Sequence, residues 1–296
     1  MFIFYNKKYG KNNMKKAIQI IYKNIAKLFF GTGIGKIKII SKINKYMITK
    51  LNPNFVIIDD IKYFLDKNDS LGLSIANIHE KAETKLIKKE IHEGDYVIDV
   101  GAHIGYFSLI FSKIVGEKGK VFSFEAEPSN FEILKKNLKE NNIKNVICEN
   151  VIISDKIGKL KLFTSDSSTG NRLFSDKKNK FIKIESTTLD NYFKKEINKI
   201  KFVKLDIQGS EPLAIRGMEK MLKENNSLKI MLEWWPNGIK KLGENPESHL
   251  KILEEIGYHI LEIDDKNQRI TRTNIEKLMK KYPNKEIEDI NLICKK

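Results

Sequence analysis

Residues 96–105 read Tyr-Val-Ile-Asp-Val-Gly-Ala-His-Ile-Gly, and residues 106–114 continue Tyr-Phe-Ser-Leu-Ile-Phe-Ser-Lys-Ile. A short apolar run ending in glycines predicts a buried strand that turns sharply. The longer run after it predicts a helix over Tyr106–Ile114. The same alternation continues in both directions. Upstream, Lys81–Ile91 reads as a helix. Downstream, strands are expected at Val121–Glu125, Asn145–Ile153, Phe202–Ile207, Leu228–Trp234, Tyr258–Ile263 and Ile290–Cys294. Helices are expected at Pro128–Asn142, Glu211–Lys223, Ser248–Ile256 and Asn274–Lys281. Extra strands, Leu160–Phe163 and Ile182–Glu185, flank a polar loop over Thr164–Lys180. Strands alternating with helices imply an α/β fold, doubly wound around a mostly parallel sheet, here of seven strands.

The chain has 296 residues, 41% of them apolar, enough for a sizeable core. Its formal charge is +16, but unevenly spread. Residues 1–50 hold twelve Lys and no Arg, Asp or Glu, so the body is near neutral and a basic cleft for nucleic acid is not expected there. Within that start, Met14–Phe30 places Ile18, Ile21, Tyr22, Ile25, Leu28 and Phe29 on one helical face, with Lys16, Lys23 and Lys27 opposite. Such a helix either packs on the body or lies on an anionic membrane surface. Gly31–Gly35 stops it, and no Gly-Lys-Ser/Thr follows to make a phosphate loop. The division expected is a basic extension with an amphipathic helix over 1–80 and the α/β domain over 81–296. No run of about 18 apolar residues and no secretory leader is read, so a cytoplasmic place is expected, with possible membrane contact through residues 14–30. Cys148 and Cys294 have no metal-ligand spacing, and a disulfide framework is excluded.

Ligands of doubly wound sheets bind outside the carboxyl ends of the strands. Asp99-Val100-Gly101-Ala102-His103-Ile104-Gly105 has the spacing Asp-x-Gly-x-x-x-Gly, not the Gly-x-Gly-x-x-Gly of a pyrophosphate loop. The first spacing is the usual loop for S-adenosylmethionine. Glu125 ends the second strand, where an acid accepts hydrogen bonds from both ribose hydroxyls of a nucleoside and repels a 2′-phosphate. Ser154 follows the third predicted strand, where it would edge an adenine. Asp206 and Glu211 flank the fourth strand's end in Asp206-Ile207-Gln208-Gly209-Ser210-Glu211, and Glu233 ends the next. The pair Trp234-Trp235 reads as core, or as a ring to stack on a sugar.

Taken together, VIDVGAHIGYFSL, VFSFEAEPSNFEILKKN, TTLDNYF, FVKLDIQGSEPLAIRGM and the acid of MLEWWP resemble the FkbM-type methyltransferases, a class I S-adenosylmethionine-dependent family. The resemblance covers about residues 83–235. It implies Asp99, Gly101, His103, Gly105, Glu125 and Ser154 at the cofactor, and Asp206 and Glu211 on the acceptor side. The family often has Asn at the place of His103 and a Glu-Gly-Ala-Glu-like run at 208–211. Gln208 therefore removes one carboxylate from that run, and no resident metal is expected. The implied reaction is methyl transfer to a hydroxyl of a sugar, glycan, glycolipid or other small molecule. A hydroxyl needs its proton removed as it attacks, and Asp206 is the candidate acceptor, with Glu211, Glu233 and His103 as competitors. A nucleic-acid methyltransferase is the alternative, but Asp206-Ile207-Gln208-Gly209 is not Asp/Asn-Pro-Pro-Tyr/Phe and neither Cys follows Pro. A non-catalytic membrane- or partner-binding protein on the same fold is the other.

Overall fold

The computed structural model describes residue 21 and residues 53–76, 78–165, 170–175, 180–282 and 289–296. The chain divides into two compact units, Met1–His79 and Glu80–Lys296. The amphipathic helix expected over Met14–Phe30 falls outside the described residues, apart from Ile21. The described part of the first unit contains an antiparallel hairpin of β1, Phe55–Ile58, and β2, Ile61–Phe64. The sequence reading found only weak signals here.

The second unit is built on one sheet. Its strands are β3 (Tyr96–Val100), β4 (Lys120–Phe124), β5 (Val146–Glu149), β9 (Ile200–Leu205), β10 (Lys229–Trp234), β11 (His259–Asp264), β12 (Arg269–Arg272) and β13 (Ile290–Lys295). Their order is β12-β11-β13-β10-β9-β3-β4-β5. The pairs from β10 to β5 are all parallel, and β13 runs antiparallel between β10 and β11. The seven expected strands are all present, and β12 adds an eighth as a hairpin on the edge. That strand was not foreseen because all four of its residues are exposed and carry no apolar alternation.

Two expected elements are divided. The run Asn145–Ile153 is not one strand: β5 ends at Glu149, and β6, Ile152–Ile153, joins a separate three-stranded sheet with β7 (Gly158–Phe163) and β8 (Phe181–Thr187). Asn150 fixes the break, its amide donating to the carbonyls of Glu125 and Ala126. The helix over Glu211–Lys223 is two helices, Glu211–Arg216 and Glu219–Glu224. Gly217 separates them because its backbone presses on Ser154: a Cβ there would lie 2.0 Å from the Ser154 carbonyl oxygen.

Both sheet faces are covered. Phe202 and Phe111 of helix Tyr106–Val115 meet at 6.0 Å on one face. On the other, Val203, Leu205, Ala214, Ile215, Met218 and Leu232 belong to one buried cluster. Burying this much aliphatic surface is what holds the strand ends at fixed spacing.

Candidate active site

The carboxyl ends of β3, β4 and β9 converge. Gly101 takes φ +83° and Gly105 φ +89°, both left-handed. At Gly101 the freedom is required twice: a Cβ would lie 1.9 Å from the backbone carbonyl oxygen of Asp206. The Asp206 N–H donates to the Val100 carbonyl at 3.0 Å, so the two strand ends are locked together. At Gly105 a Cβ would meet Leu134 at 2.5 Å.

Asp99 points into the layer beneath helix Tyr106–Val115. Ser108 donates to it at 2.6 Å, and Ser123 donates to Ser108 at 2.8 Å. Burial pushes the Asp99 carboxyl up to about 6, against the pull of Lys204. Its evident work is to fix the helix that follows the glycine loop. Glu125 lies across that loop. The N–H groups of His103 and Glu127 donate to its two oxygens, at 2.7 and 2.8 Å. The Asn130 side chain donates to it as well, so three donors orient the carboxylate and acceptor capacity remains for one hydroxyl. Burial raises it to about 7. His103 serves through its backbone, held at φ +51°.

Ser154 is elsewhere. It is fully buried at the end of β6, its N–H on the Thr187 carbonyl and its hydroxyl on Asp155. Asn150, not Ser154, flanks Glu125 at the sheet's edge. The expected adenine contact thus falls away from the third strand's end, because that strand stops four residues before Ile153.

The two acids expected on the acceptor side have different surroundings. Asp206 forms an ion pair with Lys204 at 2.7 Å, and its side chain is 27% exposed. Glu211 is wholly buried, with one oxygen accepting from the Ile207 N–H at 2.9 Å and the other unpartnered. Burial pushes its carboxyl up to about 8. Glu211 therefore shapes the loop, while Asp206 reaches the opening. The Gln208 amide donates to both oxygens of Glu233, at 3.1 and 3.0 Å, where burial and the charge of Asp206 drive the Glu233 carboxyl well up. Among the described residues no group of three or more His, Cys, Asp or Glu is arranged to hold a metal ion.

Trp234 is buried core, its indole N–H on the Pro246 carbonyl. Trp235 is half-buried against Gly238, where a Cβ would lie 1.9 Å from the ring, and the Arg172 guanidinium is 4.5 Å from its centroid.

Two residues that the sequence reading passed over are central. Lys204 sits mid-strand in β9 beside Asp99 of β3 and Met231 of β10, over the Phe107 ring at 4.5 Å. Burial pulls its ammonium down, but the carboxylates of Asp206, Glu80, Glu83 and Asp99 outweigh it and hold the charge. The signal was a lone lysine inside the apolar run Phe202-Val203-Lys204-Leu205. Glu83, from helix Lys81–Glu90, is also buried. It was hidden because an acid in the first turn of an amphipathic helix reads as solvated.

The model of the methyltransferase FkbM domain matches residues 99–260. Among curated proteins, the chain is 46% identical over 57 residues to a protein-L-isoaspartate O-methyltransferase of Methanococcus maripaludis, which covers 19% of this chain and 27% of that relative's length. It is 24% identical to methyltransferase sdnD of Sordaria araneosa, over 61% of this chain and 84% of that one. Among solved structures, a precorrin-6y C5,15-methyltransferase of Geobacter metallireducens covers 82% of this chain and 97% of its own, at 15% identity and a TM-score of 0.44. With the family's domain matching more than half of this chain, and the glycine loop and strand-end acids standing within that span, the chain belongs to the FkbM methyltransferase family, whose cofactor is S-adenosylmethionine.

Proposed function

We propose that the protein transfers a methyl group from S-adenosylmethionine to a hydroxyl of a sugar, glycan or glycolipid. The observation that carries this reading is Asp206: an oriented carboxylate, partly open to solvent, beside the glycine loop and locked to Lys204. The residues present fit the cofactor. Gly101 and Gly105 let the backbone approach closely, and Glu125, oriented by three donors, keeps acceptor capacity for a ribose hydroxyl.

When bound, S-adenosylmethionine supplies an electrophilic methyl carbon. The chain must align the acceptor oxygen with that carbon and exclude water. Asp206 accepts the hydroxyl proton as the oxygen attacks, which requires hydrogen-bond reach of about 2.6–3.2 Å. Lys204 fixes which way that carboxylate faces. Glu211 holds the 207–211 loop through the Ile207 N–H.

The test is methyl-labelled S-adenosylmethionine offered with sugar nucleotides, lipid-linked oligosaccharide, RNA and isoaspartyl peptide. Label is expected on a sugar-bearing acceptor, stable to mild base as an ether is. Base-labile label, as a carboxyl methyl ester would give, or label only in RNA, would overturn the reading.

A further inference from the structure

The face of the sheet beneath helix Tyr106–Val115 holds an uneven set of charges. Lys204 is paired with Asp206 and feels the charge of three further carboxyl groups, those of Glu80, Glu83 and Asp99. One ammonium balances one carboxylate, and Asp206 takes that place at 2.7 Å. Asp99 is served by the Ser108 hydroxyl. Glu83 has no such service. It is 1% exposed, no N–H or hydroxyl reaches either of its oxygens, and the neighbour it meets is a second acid, Glu80. Burying a carboxyl group without donors is costly, and one that persists is normally completed by something.

Position says what completes it. Helix Lys81–Glu90 starts at the carboxyl end of the sheet, the Ala82 N–H on Asp265 just past β11. From there Glu83 is within electrostatic reach of both Lys204 and Asp206. β3, with the glycine loop, lies between β4, which ends at Glu125, and β9, which ends at Asp206. A nucleoside whose ribose is held by Glu125 therefore directs its tail across the loop towards Asp206 and Glu83. A metal ion does not answer the missing donors, since no three metal-ligating side chains come together among the described residues. An organic ammonium does, because it brings its own N–H donors and a charge opposite to the surplus.

We infer that Glu83 receives the α-ammonium group of S-adenosylmethionine, so that the helix before the glycine loop closes the methionine end of the cofactor site. The inference rests on the cofactor reading above.

The test is calorimetric titration of the full chain and Glu83→Gln with three ligands. S-Adenosylmethionine carries both the ammonium and the sulfonium. S-Adenosylhomocysteine keeps the ammonium and loses the sulfonium charge. 5′-Methylthioadenosine lacks the amino-acid tail. Glu83→Gln is expected to weaken the first two by about 10- to 100-fold, the range for a hydrogen bond to a charged group, and to leave the third unchanged. The unchanged third ligand also reports that the adenosine half of the site is folded. Three results overturn the assignment: no weakening of the first two, weakening of S-adenosylmethionine alone, or equal weakening of all three. If the wild-type chain binds none of them, the cofactor reading itself fails, and this assignment with it.

Discussion

Gly101→Ala isolates what the glycine loop does for the fold. The residue stands at φ +83°, where an L side chain costs about 1–2 kcal/mol. Its new Cβ would also sit 1.9 Å from the Asp206 carbonyl oxygen and 2.9 Å from the carbonyl carbon. Those are backbone atoms of the adjacent strand end and cannot rotate away. Relief requires β3 and β9 to part by more than an ångström at their carboxyl ends. That movement disrupts the Asp206 N–H to Val100 hydrogen bond, a further ~0.5–1.5 kcal/mol, and overpacks the junction at ~1–3 kcal/mol. The expected loss is about 3–6 kcal/mol. Gly243→Ala is the matched control: φ is +90°, and nothing lies within 4 Å of a Cβ there. It should cost only the conformational ~1–2 kcal/mol. Urea midpoints of the two variants give the comparison directly. Gly101→Ala should also lose cofactor binding, while Gly243→Ala keeps it. If the two variants agree in stability within about 0.5 kcal/mol, the close approach of Gly101 to Asp206 is not real, and the site geometry built on it fails.

Three further perturbations follow from the buried charges. The Glu125 carboxyl is raised from its ordinary 4.5 to about 7, so the folded chain keeps a proton over roughly pH 5–7 that the unfolded chain has lost. Without cofactor, stability should fall as pH rises through that window. Glu125→Gln should flatten the slope in denaturation midpoints at pH 5 and 7, leaving the part due to the other raised carboxyls, Asp99, Glu83, Glu211 and Glu233; an unchanged slope would refute the burial of Glu125. Glu211→Gln keeps an oxygen for the Ile207 N–H and should be near neutral in stability, whereas Glu211→Ala strands that donor and should cost about 1–3 kcal/mol in urea unfolding. Lys204→Met removes the cation among four carboxyl groups and should cost about 3–5 kcal/mol, read by the same assay. A loss under about 1 kcal/mol would mean that those acids are already neutral without it.

Much of the architecture was readable because it depends on local rules. The strands of the main sheet show as apolar runs, and the helices between them as 3.6-residue periods. Asp99, Gly101, Gly105, Glu125 and Asp206 follow from their place just after a strand, where chain geometry forces ligand-facing loops. What escaped was set by contacts distant in sequence. Asn150 breaks the run 145–153 through two carbonyls about 25 residues away, which moves Ser154 out of the strand's end. Gly217 splits a helix because Ser154 lies against it. Glu211 and Asp206 look alike as acids in one motif, yet one is sealed in the core and the other reaches the opening.

Residue order alone carries most of the succession of elements, the winding of the sheet and the family, because periodicity and glycine spacing are written residue by residue. How the charges share their work is set by packing in three dimensions. Pairing β9 beside β3 and laying helix Lys81–Glu90 near them sets Lys204 among Asp206, Asp99, Glu80 and Glu83. Burial then makes each carboxyl's role depend on which donor reaches it. That dependence runs through space, in a medium that screens charge poorly, and no one-dimensional spacing records it.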